Sequence, residues 1–115
     1  MRVTSELFVS QLVRRVFSAG GFAAVIRKGA AEAGAIFITV QERSGGVQMY
    51  RPAPQTAYET GRQQDRQFTR AANVNDGLAA NAALEREARF DPDLWIVEVE
   101  PPNSDIAEFL DITTP

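Results

Sequence analysis

The chain has 115 residues, 44% of them apolar, carries a net charge of -3, and contains neither cysteine nor histidine. Length and apolar share suffice for one domain with a hydrophobic core that needs no disulfide or metal staple. The two missing side chains exclude thiolate nucleophiles, imidazole proton shuttles, disulfides and the usual zinc ligands, and the small charge gives no electrostatic basis for gripping nucleic acid.

Charge is unevenly distributed. Residues 1–51 hold seven bases and three acids, and residues 52–115 hold five bases and twelve acids. Packing of one half on the other cancels such an asymmetry within a single fold, which is the arrangement expected here. Near the N-terminus, Leu7, Phe8, Val9, Leu12 and Val13 follow Arg2, but Glu6, Gln11, Arg14 and Arg15 interrupt the run. A secretion signal needs an unbroken apolar centre, so this segment reads as mature protein. The lack of cysteine fits a cytoplasmic location. No stretch approaches the roughly 18–20 consecutive apolar residues of a membrane span.

Residues 5–19 have the pattern of a helix: Val9, Leu12, Val13, Val16 and Phe17 recur at helical spacing. Thr4 or Ser5 can cap its start, and Gly20 can end it in the left-handed conformation. Three strand-like runs follow, at 22–28, 35–42 and 47–51, separated by glycine-containing segments of the kind that close hairpins. They predict an antiparallel meander. Alternation of Ile36, Ile38 and Val40 with Phe37, Thr39 and Gln41 predicts one buried face and one mixed face. Pro52 and Pro54 end the third strand. Residues 59–66 are polar and read as an exposed loop, after which 67–70 form a short strand with Phe68 inward. Asn75 is placed to cap a helix over 76–89, where Glu85 and Arg89 stand four apart. The run from Leu94 to Val99, bounded by Pro92 and Pro101, is the strongest strand signal and should lie centrally in the sheet. In the tail, Asp105 and Glu108 have capping-box-like spacing, and one turn would gather Ile106, Phe109 and Leu110 on one apolar face. Such a turn is too short to stand alone, so it is expected to dock on its own domain.

The expected fold is α+β: residues 1–100 form an antiparallel sheet of four to five strands with two helices packed on one face, and residues 101–115 an acidic C-terminal tail. Val9, Leu12, Val16, Phe17, Ile36, Ile38, Leu94 and Ile96 are expected to share one core.

Three short runs carry a resemblance: Arg89 to Trp95 (Arg-Phe-Asp-Pro-Asp-Leu-Trp), Ala19 to Ala23 (Ala-Gly-Gly-Phe-Ala) and Tyr50 to Pro54 (Tyr-Arg-Pro-Ala-Pro). Between about residue 2 and residue 100 the chain resembles a small alphaproteobacterial family, domain of unknown function 1491. The resemblance implies a bacterial origin and a compact single domain. It supplies no activity, cofactor or catalytic residue.

Asp91 and Asp93 flank Pro92 and could be taken for a metal-binding pair, but a hard cation needs about six oxygen ligands from several places. A turn that sets the entry of the last strand accounts for them better. Arg14 with Arg15, and Arg27 with Lys28, are adjacent and so point apart on helix or strand, which leaves no basic patch. Gly20 and Gly21 follow a helix instead of opening one, so they do not make a phosphate loop. Tyr50 and Tyr58 bracket the two prolines and either line a groove for a peptide or pack on the proline rings. The candidate binding residues are Tyr50, Tyr58, Arg89, Asp91, Asp93 and Trp95; no catalytic residue, metal ligand or cofactor is assigned. Two functions compete. The favoured one is a non-enzymatic interaction module whose partner is another protein or a second copy met through a sheet edge, with neither nucleic acid nor membrane as target. The alternative is a small hydrolase or transferase using Asp91, Asp93 and Arg89.

Overall fold

The computed structural model describes residues 3–54, 66–103 and 105–113. Helix α1 (Ser5–Ser18) starts at Thr4, whose hydroxyl accepts the Leu7 amide at 3.2 Å. Its buried positions Val9, Leu12 and Val16 follow the predicted stripe. Gly20, at φ 96°, stops it as expected: its amide donates to the carbonyl of Phe17, and that of Gly21 donates to Val16. Phe17 leaves the predicted core. It is half exposed and meets Phe22 edge-on, with ring centroids 5.6 Å apart.

Strands β1 (Phe22–Arg27), β2 (Ile36–Gln41), β3 (Val47–Pro52) and β4 (Gln67–Arg70) precede helix α2 (Gly77–Phe90). Strand β5 (Trp95–Glu100), a single 3-10 turn (Ile106–Glu108) and strand β6 (Asp111–Ile112) complete the chain. The α+β class stands, but the sheet has six strands in the order β1-β5-β2-β3-β4-β6. It is mixed: β2 runs parallel to β5 and β4 parallel to β6, while the other pairs are antiparallel. The expected all-antiparallel sheet of four to five strands is therefore corrected.

The meander fails at its first link, because β5 lies between β1 and β2. The connecting segment does not fold back tightly. Its Ala31 and Glu32 carbonyls accept the amides of Glu6 and Ser5, Gly34 accepts the Ser5 hydroxyl at 2.6 Å, and Ala30 donates its amide to Asp93. Spread between the start of α1 and the entry to β5, this segment holds β1 and β2 apart. The apolar run of β5 fills the gap and is paired on both sides.

The two helices cover opposite faces of the sheet, not one. Ile36, Ile38 and Val40 of β2 join Trp95, Val97 and Val99 of β5 under α1. Phe37 and Leu94 point the other way and pack with Ala80, Ala83 and Leu84 of α2. Both faces of β2 and the start of β5 thus bury apolar side chains, and a sheet of that kind must be covered on both sides. The single predicted core divides accordingly: Leu94 belongs to the second cluster, and Ile96, only partly buried, packs against it.

Asp76, not Asn75, caps α2, accepting the Ala79 amide at 2.8 Å; Asn75 instead accepts from Arg70 at 3.0 Å. Asp76→Ala is expected to lower stability by about 1 kcal/mol, read as a lower urea midpoint with an unchanged slope.

Ile106, Phe109 and Leu110 of the tail enter the α1-side core. Arg15 donates to the carbonyls of Glu108 and Phe109 at 3.0 and 3.4 Å, and its guanidinium stands 5.7 Å from the Phe109 ring centre. Basic N-terminal half and acidic tail meet here. They do so through backbone carbonyls instead of carboxylates.

Candidate functional site

The run from Arg89 to Trp95 forms a structural junction. Helix α2 ends at Asp91, whose Oδ1 accepts the Asp93 amide at 3.0 Å and closes the turn around Pro92. The Asp93 carbonyl accepts the Ala30 amide at 2.9 Å, and the Pro92 carbonyl accepts Arg27 Nη2 at 3.0 Å. Trp95 is buried, and its indole Nε1 donates to the Ala30 carbonyl at 2.8 Å. Arg89 stands exposed on the last turn of α2. Gly29 and Gly34 pack so close that a Cβ on either would run into the Asp93 carbonyl. Gly29→Ala should cost on the order of 1–3 kcal/mol through overpacking, measured as a fall in the thermal midpoint.

Tyr50 lies apart from this junction, buried on β3, with its hydroxyl donating to Gln48 Oε1 at 3.2 Å. Burial pushes its phenol above the ordinary 10.0, with the Arg70 charge opposing. Because the folded state holds the proton more tightly, stability falls as pH climbs from 10 through the raised value. Tyr50→Phe should flatten that alkaline decline in a series of denaturation curves. Tyr58 lies outside the described residues.

A groove lies elsewhere on the molecule. Helix α2 sits over β3, and several of the residues along it that face the sheet are small, Ala80 and Ala88 with Gly77 in its first turn. Between helix and sheet they leave a groove of 360 Å³. Its floor is Thr39, Gln41, Ile96 and Glu98 from β2 and β5; Asn81, Leu84 and Glu85 stand on the helix side, Ile26 and Arg27 on the β1 side. Gln41 Nε2 donates to Glu98 Oε1 at 3.5 Å. Tyr50, Arg89, Asp91, Asp93 and Trp95 do not line it. A helix face of alanines records only that side chains there are small, so the sequence carried no visible mark of a groove.

Beside the groove runs the open edge of the sheet. Among the described residues, strand β1 pairs only with β5, and it exposes Phe22 (46%), Val25 (43%) and Ile26 (59%). A bulge between Val25 and Arg27 interrupts the ladder near its far end. Among the described residues, no helix is long and apolar enough to cross a membrane, and no three acidic side chains gather as a metal site.

A six-stranded mixed sheet with one helix on each face, an apolar edge strand and a groove beside it define an α+β protein. The chain belongs to the family described as protein of unknown function DUF1491, whose model matches residues 3–111. It is similar to a solved solution structure, protein Atu0922 from A. tumefaciens, with 45% identity and a TM-score of 0.85 over 100% of this chain and 98% of that one. A crystal structure of a DUF1491 family protein from Caulobacter crescentus is similar at 30% identity and a TM-score of 0.79, covering 98% of this chain and 99% of the other. Both relatives come from alphaproteobacteria. No curated protein matches.

Proposed function

We propose that this protein is a non-enzymatic interaction module that binds another protein chain through the β1 edge and the adjoining groove. One observation carries the reading: an edge strand, Phe22–Arg27, presents three exposed apolar side chains directly beside a groove. Unpaired backbone groups on such an edge form main-chain hydrogen bonds with an added strand, and neighbouring side-chain pockets give selectivity. Carboxylate and arginine chemistry draws less support. Asp91 Oδ1 already accepts a turn hydrogen bond, and neither Asp91, Asp93 nor Arg89 lines the groove.

The test is affinity capture from the native host, read by mass spectrometry, with wild type compared with an Ile26→Lys variant of equal thermal stability. Proteins held by the wild type and lost by the variant support the module. An identical set of captured proteins contradicts it.

A further inference from the structure

We infer that the β1 edge pairs with the β1 edge of a second copy of this chain, giving a two-fold dimer with one continuous sheet. This rests on the reading of that edge as the binding surface and names its occupant.

The sequence of the edge is self-complementary in shape and charge. Antiparallel pairing about a two-fold axis perpendicular to the sheet sets some residue opposite its own copy, since directly opposed residues must point to the same face. Centring on Ala24 places Phe22 of each copy opposite Ile26 of the other and Ala23 opposite Val25. All three exposed apolar side chains of β1 then find apolar partners. Shifting the centre to Val25 would set Phe22 against Lys28 and Ala23 against Arg27, so that Phe22 loses its apolar partner while Val25 and Ile26 keep apolar ones.

Charge is compatible with antiparallel pairing. Bases Arg27 and Lys28 stand at one end of β1, while at the other end Phe22 lies opposite Glu100 of β5. Antiparallel pairing carries the basic end of each copy to the acidic end of its neighbour. The two Arg27 residues end up six positions apart along the ladder, about 20 Å, well beyond the roughly 8 Å over which salt screens exposed charges. No like charges face each other. The bulge takes in Ile26, so the regular part of each strand runs from Phe22 to Val25 and the two Phe22–Ile26 pairs fall at the ends of the proposed ladder.

Sedimentation velocity on the full chain, from about 10 µM to about 1 mM, tests the inference. The wild type is expected to pass from monomer to dimer, and Ile26→Lys to remain a monomer with unchanged circular dichroism. Amide hydrogen exchange on the wild type alone provides a check that needs no variant: exchange should slow with concentration within residues 22–26. A wild type that stays monomeric across the range overturns the inference, as does a dimer that persists in Ile26→Lys or slowed exchange confined to other strands. A monomeric wild type whose captured proteins still depend on Ile26 would remove the second copy as occupant while leaving the interaction module standing.

Discussion

Trp95→Ala is expected to lower the unfolding free energy by about 3–5 kcal/mol, the range for truncating a large aromatic in a packed core. The ring is buried at the start of β5 among residues of the α1-side core. Its indole also donates to Ala30, tying the 28–35 connection to the sheet. Trp95→Phe separates these two roles. It keeps most of the packing and removes the donor, so its cost should fall to about 1–2 kcal/mol, near that of one hydrogen bond. Chemical denaturation followed by circular dichroism measures both. Equal losses in the two variants would mean that the hydrogen bond dominates, and a negligible loss in Trp95→Ala would contradict the placement of β5.

Phe109→Ala should have the second-largest effect, about 3 kcal/mol, although the residue lies only a few positions from the end of the chain. Its ring is buried in the core with Ile106 and Leu110 as neighbours in the tail, and Arg15 lies over it. A single turn cannot hold itself together, so what stabilises it is the surface it covers. Removing the ring should loosen the whole segment, lowering the midpoint of a denaturation curve and shifting amide signals of α1 and β4. A variant that unfolds at the wild-type midpoint would show the tail to be unimportant to the domain.

Most elements were legible because each depends on local signals. The stripe Val9, Leu12, Val16 and the left-handed Gly20 fixed the first helix, and the proline-bounded Leu94–Val99 run marked the last strand. Pairing was not legible. Periodicity tells which side of a strand faces a core, but a strand's neighbours depend on contacts between distant segments. Nothing in Phe22 to Lys28 announces that Trp95–Glu100 will come between it and β2. Two-sided burial of β2 was readable in principle, since Phe37 breaks the polar alternation, yet Thr39 and Gln41 on the same side made that face look mixed. Thr39 is in fact buried.

The groove and the edge were hidden for related reasons. An edge exists only once the strand order is known, and a groove lined by Gly77, Ala80 and Ala88 is made by volume that is missing. The residues that stood out in the sequence did so for another reason. Asp91, Asp93 and Trp95 are distinctive because they build the junction between α2, the 28–35 connection and β5, where backbone carbonyls carry most of the contacts.

Absence of cysteine from the chain makes the most direct test simple. In Ala24→Cys the sole thiol of each chain would stand at the centre of the paired edges, whereas in Phe90→Cys it would sit on an exposed position of α2, off the paired strand. A disulfide needs Cβ atoms about 3.5–4.5 Å apart. Under mild oxidation, monitored by non-reducing electrophoresis, Ala24→Cys should form a covalent dimer much faster than Phe90→Cys. Equal rates, or faster dimer formation in Phe90→Cys, would contradict pairing through β1.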